Sequence, residues 1–143
     1  MKLKDISLLL LRLAISYLWL TAGISKLLNK EFLTSFPATL ETFAKNSPYP
    51  FYQKLLHEYA IPNSSLFAQL TTWGEISCGI AFLIGFPMLV ATVVGIFMNL
   101  NYYLVANAIP SQFVNIILIF SQFAAYTNGA GNIWGFSTKV SKR

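Results

Sequence analysis

Four long apolar stretches set the pattern of the chain, over residues 6–28, 66–86, 88–109 and 113–128. A helix needs about 20 apolar residues to cross the hydrocarbon core of a bilayer, and the first three stretches meet that length. The fourth has only about 16 residues, so it requires tilted neighbours or a thinner local membrane. The pattern predicts a four-helix transmembrane bundle that forms one domain over residues 1–143.

The breaks between the stretches predict how the helices are connected. Pro87 marks a short turn, and Pro110 with Ser111 breaks the chain before the fourth stretch. Only helices and closed barrels satisfy the backbone in lipid, and barrel strands alternate apolar and polar residues. The stretches show no such alternation, so the expected fold is all-α.

The long connection over residues 29–64 is polar and rich in aromatic residues. Within it, apolar side chains recur at helical spacing, and they are Phe32, Leu33, Phe36, Leu40, Phe43, Leu55, Leu56 and Tyr59. Segments of this kind lie on the membrane surface as interfacial helices or fold over a bundle as a lid. The sequence leaves both interpretations open.

Composition supports a membrane protein and excludes several other classes. The 143 residues are 55% hydrophobic and only 10% charged, whereas soluble domains average about 25% charged residues. The mean hydropathy is +0.57. These values exclude a soluble enzyme, a disordered segment and a nucleic-acid-binding domain, so the expected partner is the lipid bilayer.

The basic residues predict the orientation of the bundle. Five of the ten lysines and arginines lie near the ends of the chain, namely Lys2, Lys4, Lys139, Lys142 and Arg143. The positive-inside rule therefore places both termini in the cytoplasm and the 29–64 segment outside a bacterial or archaeal cytoplasmic membrane. The alternative is that the first stretch is a cleaved signal peptide, but its length and Arg12 disfavour that interpretation.

Three ionisable residues, Arg12, Lys26 and Glu75, fall within the predicted spans. Each costs about 2.5–3.5 kcal/mol at the centre of a spanning helix, so we expect them to face the bundle interior. They lie on polar stripes with steps of three and four residues. The stripes are Arg12, Ser16, Trp19, Gly23 and Lys26; Thr71, Glu75, Cys78, Gly79 and Phe82; Gly95, Asn99, Tyr102 and Ala106; and Asn115, Leu118, Gln122 and Tyr126.

Depth along the helices predicts which charges meet. Glu75 lies near the bilayer centre, and Lys26 begins about 13 Å above it by the helical rise. Helical side chains lean toward their own N-terminus, so Lys26 and Glu75 converge. Arg12 leans away, which leaves it free to meet a substrate or to snorkel to the inner surface.

These residues form the candidate site. Glu75, Lys26 and Arg12 are the candidate catalytic groups, and the candidate groups for binding a substrate or a quinone are Trp19, Asn99, Tyr102 and Gln122. The structural alternative is that buried polar residues only join helices, at about 0.6 kcal/mol for each hydrogen bond. His57, the only histidine, is interpreted as a surface residue, with a proton shuttle as its alternative role.

The residue inventory limits the cofactors. One cysteine, Cys78, and one histidine exclude an internal disulfide and a Cys/His metal cluster. Bis-histidine haem ligation and iron–sulfur clusters need residues that the chain lacks. We therefore expect no metal, haem or iron–sulfur cluster. Redox chemistry here would use a diffusible organic carrier such as a quinone, or a cofactor in another subunit.

Several short segments together resemble a known family. They are Leu11-Arg-Leu13, Gly23-Ile-Ser-Lys26-Leu27, Ala60-Ile-Pro62, Glu75 with Gly79, Leu83-Ile-Gly85 and Ala130-Gly-Asn-Ile-Trp-Gly135. The chain resembles DoxX-like membrane proteins, which include the DoxD-type membrane subunit of thiosulfate:quinone oxidoreductase. Phe136 and Ser137 depart from the usual aliphatic residue and Asp of that family's ending. The residues that match are Arg12, Gly23, Lys26, Glu75, Gly79 and Gly135.

The resemblance implies a redox component that is linked to the quinone pool. In the thiosulfate version, an anionic sulfur substrate approaches Lys26 from outside and Glu75 carries the proton, while Trp19, Tyr102 and Tyr103 flank the quinone ring. The alternative is a non-catalytic membrane anchor or assembly subunit for a partner redox enzyme.

Two short motifs bear on that alternative and on oligomer formation. The motifs over residues 81–85 and 91–95, each Ala-x-x-x-Gly, offer close-packing surfaces for a partner helix or a second copy of the chain. A small-solute transporter is a third hypothesis. It is disfavoured because the sequence shows no broken helix and no inverted repeat.

Overall fold

The structure is a computed structural model that describes residues 2–135. It contains six α-helices, and no strand occurs in that part of the chain. The helices are α1 (Leu3–Leu28), α2 (Phe32–Asn46), α3 (Pro50–Leu55), α4 (Ser64–Ile84), α5 (Met88–Val105) and α6 (Ile109–Thr127). A π-helical turn, Leu56–Ala60, extends α3, and a 3-10 turn, Ala130–Asn132, follows α6.

Four of the helices, α1, α4, α5 and α6, are long and apolar enough to cross a membrane. They confirm the predicted all-α bundle of four spanning helices. The helices α1 and α4 pack against each other, as do α4 and α5, α5 and α6, and α6 and α1, so the four form a closed ring.

The predicted bounds of the last two spans were wrong. Helix α5 ends at Val105 instead of residue 109, and α6 begins at Ile109 and has 19 residues. Pro110 lies in the first turn of α6, where a helix tolerates proline because the N–H groups of that turn need no helical acceptor. The fourth span is therefore of ordinary length.

The two ends of the bundle differ, and we name them for what they carry. The loop end is where α1 and α5 end and α4 and α6 begin, and the terminal end is opposite. At the terminal end, Gly85 takes a positive φ of 77° after α4. Pro87 lies immediately before α5, in the short turn that was predicted there. Gly129, with a φ of 72°, follows α6 and begins the turn after it.

Helices α1 and α4 pack at backbone distance. A Cβ on Gly79 would lie 2.9 Å from the backbone nitrogen of Leu20, and one on Gly23 would lie 2.9 Å from that of Ile76. The hydroxyl of Ser16 donates to the carbonyl of Gly79 at 2.7 Å. This close contact places the inward residues of α1 directly beside those of α4.

Residues 32–60 fold over the loop end, and we call them the cap. Their buried hydrophobic side chains are Phe36, Leu40, Ala44, Tyr52, Leu56 and Ala60, which pack with Ala68 of α4. The Ser47 hydroxyl donates to the carbonyl of Leu104 at 2.6 Å, and the Tyr52 hydroxyl donates to Asn101 Oδ1 at 2.7 Å. The helices predicted for this segment are confirmed, and the segment packs on the bundle, but Leu33, Leu55 and Tyr59 are exposed.

The orientation across the membrane stays a prediction. Lys2 and Lys4 are exposed at the terminal end. The other basic residues on which the prediction rests, Lys139, Lys142 and Arg143, lie outside the described residues, as do Phe136 and Ser137.

Candidate functional site

A buried ion pair joins α1 to α4 near the middle of the bundle. Lys26 Nζ lies 2.6 Å from Glu75 Oε2 and 2.8 Å from Oε1. The Glu75 side chain is 1% exposed and that of Lys26 is 22% exposed. The two charges therefore meet as helix depth predicts, and only the lysine side of the pair reaches the surface.

A third helix completes the site through Tyr102 of α5. Its hydroxyl donates to Glu75 Oε1 at 2.7 Å. The carboxylate therefore accepts hydrogen bonds from an ammonium and from a phenol, and bonds to an ionised acceptor are about twice as strong as neutral ones. The site is a single network that links α1, α4 and α5.

Trp19 and Gln122 form a separate polar contact between α1 and α6. The indole Nε1 donates to Gln122 Oε1 at 3.2 Å, and Gln122 Nε2 donates to the carbonyl of Leu118 at 3.0 Å. Gly95 makes room for this amide, because a Cβ there would collide with Gln122 Oε1. The indole N–H of Trp19 therefore already has an acceptor. Trp19 contacts other neighbours through its ring.

Asn99 is buried one turn from Gly95 on α5. Its Nδ2 donates to the carbonyl of Gly95 at 3.0 Å, and the residue is 2% exposed. This bond within the helix gives the side-chain N–H of Asn99 an acceptor, which a buried asparagine would otherwise need from another residue. Asn99 lines the same cavity as the Glu75 network, and its amide N–H bonds within α5.

These side chains border a cavity of about 1180 Å³ that extends from beneath the cap into the bundle. Its polar lining includes Lys26, Glu75, Asn99 and Tyr102, and the ring of Trp19 lies beside them. Most of the remaining wall is aliphatic or aromatic. Of the seven predicted site residues, these five line the cavity, whereas Gln122 lies behind Trp19 and Arg12 lies elsewhere.

Arg12 does not have the freedom that the sequence predicted. It is 2% exposed at the terminal end, and its Nη1 donates to the carbonyls of Ala130 and Ile133 at 3.0 Å each. Its Nη2 lies 3.5 Å from the carbonyl of Leu83. The carbonyl of Leu83 lies in the last turn of α4, where the helix dipole favours a cation, and Ala130 and Ile133 belong to the turn after α6. Arg12 is thus a structural clamp that neither snorkels nor reaches the cavity.

The prediction that the two Ala-x-x-x-Gly motifs form contact surfaces for another helix was wrong. Ala81 and Ala91 are buried inside the bundle, Gly85 is buried in the turn after α4, and Gly95 faces Gln122. The Ala-x-x-x-Gly motifs therefore pack within the chain and offer no surface to a partner helix.

Tyr103 lies outside the cavity wall. Its ring stacks on that of Tyr49 in the cap, with centroids 6.3 Å apart, and the two hydroxyls are 3.4 Å apart. Tyr103 therefore helps to dock the cap on α5 and does not flank the Glu75 site.

Tyr52, which was not among the predicted site residues, lines the cavity from the cap side. Burial raises the pKa of its hydroxyl to about 12. The segment from Ser47 to Pro50, with two prolines around Tyr49, marks the bend that brings α3 back over the bundle. Nothing in the sequence of residues 47–50 identifies Asn101 as the acceptor of the Tyr52 hydroxyl.

The remaining candidates are placed as follows. His57 is exposed on the cap, with Nδ1 4.0 Å from Glu41 Oε1. Cys78 is buried, and its Sγ lies 3.6 Å from the carbonyl of Ala91. Within residues 2–135, no group of three His, Cys, Asp or Glu side chains could bind a metal ion.

The fold and the site define a helical integral membrane protein with a buried ion pair at the wall of an apolar cavity. The model of the DoxX family matches residues 7–108, so the chain belongs to the DoxX family. The matched region contains Arg12, Lys26, Glu75 and the whole cap, and it ends before α6. No curated protein and no solved structure shows significant similarity to the chain.

Proposed function

We propose that the protein is a redox component that exchanges electrons with the membrane quinone pool. One observation carries this proposal: the Lys26–Glu75–Tyr102 network lies at the wall of a largely apolar cavity inside a membrane bundle. Ligand sites combine mostly apolar walls with a few converging polar groups. Intramembrane ionisable residues are functional candidates by default.

The residues present fit a quinone. Its ring is flat and apolar, and the ring of Trp19 offers a matching surface in the cavity wall. Its carbonyl oxygens need hydrogen-bond donors, and an ammonium has three N–H groups, of which Lys26 uses two for Glu75. A bound quinone supplies a two-electron acceptor. No metal is required of the chain for that chemistry.

The network is suited to moving protons. Reduction of a quinone by two electrons consumes two protons, and Glu75 contacts two groups that can donate one. Glu75 itself is sealed from solvent, whereas Lys26 is partly exposed. Protons that reach Glu75 therefore enter from the loop end, along the lysine side of the network.

The family resemblance suggests thiosulfate as the reductant. Two thiosulfate anions joined by a new S–S bond release two electrons, which balances the reduction of one quinone with two protons. The exposed edge of Lys26 supplies a positive charge for an anion that approaches from the loop end. Arg12 takes no part, because it is enclosed at the opposite end.

The test is quinone reduction by purified protein in proteoliposomes, with and without thiosulfate. We expect thiosulfate-dependent reduction by the wild type and a loss of about 100-fold in Glu75→Gln, because general acid–base groups contribute about 10²–10⁴-fold. Glu58→Gln, on the exposed face of the cap, is the matched control and keeps full activity. A Glu75→Gln variant as active as the wild type contradicts the proton-carrier role.

The second candidate function is a non-catalytic anchor or assembly subunit. It is favoured by α6, the least buried of the four spanning helices, whose exposed face includes Phe113, Ile117, Phe120 and Phe123. Purification in mild detergent separates the candidates. A redox protein that co-purifies in fixed ratio supports the anchor, whereas activity of the chain alone supports the first proposal.

A further inference from the structure

A groove between α4 and α5 connects the cavity to the outer surface of the bundle. Its exposed borders are Leu66, Leu70, Trp73 and Ser77 on α4 and Val90 and Phe97 on α5. These side chains line the same cavity as Glu75 and Tyr102. The cavity is therefore continuous from the buried polar network to the side of the protein that faces lipid.

Small residues in both helices form the groove. Gly74, Cys78 and Ala81 follow one another on α4 at steps of four and three, and Ala91 and Val94 face them from α5. Successive residues at these steps share one face of a helix. Cys78, Ala81 and Ala91 are buried at the floor of the groove, and larger exposed side chains border it, whereas the backbones touch at the α1–α4 contact.

The groove is long, and among the described residues that line the cavity only Lys26 and Glu75 are charged. From Leu66 to Ala81 it extends about 22 Å at the helical rise. At the loop end the cap covers the bundle, and Tyr52 and Ser47 are bonded to α5. The side open to lipid is thus the more direct route to Glu75 for an apolar molecule.

We infer that the groove binds the aliphatic tail of a ligand whose head group lies beside Glu75. The site would then take a long-tailed quinone dissolved in the bilayer, which enters sideways between α4 and α5, and not a short water-soluble quinone. This inference rests on the proposed quinone-linked function. A molecule with one polar end and one apolar chain matches a cavity whose ion pair is at a buried carboxylate and whose outer borders are mostly apolar.

The test fills the groove with tryptophan at two positions. Ser77→Trp and Val94→Trp place an indole in the groove. Ile80→Trp and Val93→Trp are the matched controls, because both positions are exposed on the same helices and lie outside the cavity wall. Affinities for a decyl-tailed benzoquinone and for its tail-less parent are measured in nanodiscs of one lipid composition, as mole fractions of lipid.

We expect both groove variants to bind the tailed quinone about tenfold more weakly, which is the weakening that overpacking of at least 1.4 kcal/mol produces. Binding of the tail-less parent should stay within about twofold of the wild type. The control variants should bind both quinones as the wild type does. Thermal unfolding of each variant confirms the fold, and Ser77→Trp remains informative if Val94→Trp fails to fold, because Ser77 is exposed.

Each other outcome contradicts a specific statement. Unchanged binding of the tailed quinone in Ser77→Trp overturns the inference and leaves the proposed function intact. A loss in Leu18→Trp alone also overturns it, because that exposed residue borders the cavity on α1, away from the groove. If neither quinone binds to the wild type, the proposed function fails and the inference fails with it.

Discussion

Lys26 and Glu75 are buried unequally, and the difference predicts which of them the fold tolerates losing. The Lys26 side chain is 22% exposed, so without Glu75 its ammonium can turn toward the surface. Glu75 is 1% exposed and has no such route. The loss of stability after a substitution therefore depends on whether the charge that remains is that of Lys26 or that of Glu75.

We expect Lys26→Met to destabilise the protein by about 3–5 kcal/mol, since it leaves a buried carboxylate without its cation. Glu75→Gln should cost only about 1 kcal/mol, because Tyr102 can still donate to the amide oxygen. The double variant should recover most of the loss of Lys26→Met. Reversible unfolding in detergent measures all three free energies, and a Glu75→Gln variant less stable than Lys26→Met contradicts the argument.

Arg12 shows what residue patterns leave undetermined. Its place on the inward stripe of α1 follows from the spacing with Ser16 and Trp19, and that part was predictable. Its partners were not, because they are backbone carbonyls in the last turn of α4 and in a turn beyond α6. A carbonyl belongs to every residue, so no side chain in the sequence marks it as an acceptor.

At the scale of the helices, the α1–α4 contact depends on Gly79. A Cβ there would lie 2.9 Å from the backbone nitrogen of Leu20, which cannot move without α1. A Cβ on Gly74, also on α4, would lie 3.2 Å from the sulfur of Met98, the flexible end of a side chain. Replacing Gly79 and replacing Gly74 with alanine should therefore change the stability of the bundle by different amounts.

We expect Gly79→Ala to destabilise the bundle by about 1–3 kcal/mol, the usual cost of overpacking. Gly74→Ala should be close to neutral, since Met98 can adjust and alanine favours a helix over glycine. Thermal unfolding of the two variants in the same detergent checks the difference. Equal losses in both variants would show that the α1–α4 distance is not fixed by Gly79.

The docking of the cap on α5 should depend on pH through Tyr52. Burial raises its pKa to about 12 in the folded protein, above the value of about 10 for a free tyrosine. The folded state thus favours the protonated hydroxyl. Its contribution to stability is complete below about pH 10 and is lost as the pH rises through about 12.

The measurement is the unfolding temperature between pH 8 and pH 12. Tyr52→Phe, which has no hydroxyl to ionise, should lose less stability over that interval than the wild type does. Tyr59→Phe is the control, because Tyr59 is 61% exposed on the cap. Parallel pH profiles for the wild type and Tyr52→Phe would contradict this role of Tyr52.

For the whole molecule, the distribution of basic residues predicts that the loop end faces outward. The test uses a membrane-impermeant maleimide on intact cells, with one new cysteine at each end, in Lys30→Cys and Lys4→Cys. Both positions are exposed, and the native Cys78 is buried. We expect labelling of Lys30→Cys in intact cells and of Lys4→Cys only after permeabilisation; the reverse would invert the topology.

The sequence predicts the architecture of this molecule better than its interior. Hydropathy alone finds the four spans, because the bilayer imposes their length, and depth along two helices brings Lys26 to Glu75. The start of α6 was misplaced because Pro110 can begin a helix as well as break one. The cavity depends on how far apart α4 and α5 lie, and no local pattern in the chain encodes that distance.

The clamp around Arg12 has a consequence for biogenesis. Its acceptors, Ala130 and Ile133, lie 118 and 121 residues further along the chain. Ribosomes make proteins from the N-terminus, so α1 is synthesised and exposed to lipid long before these carbonyls exist. Until then the guanidinium lacks both of these acceptors, whereas the carbonyl of Leu83, 3.5 Å from Nη2, is made earlier with α4. The bonds that enclose Arg12 at the terminal end are therefore completed only after the turn that follows α6 has been synthesised.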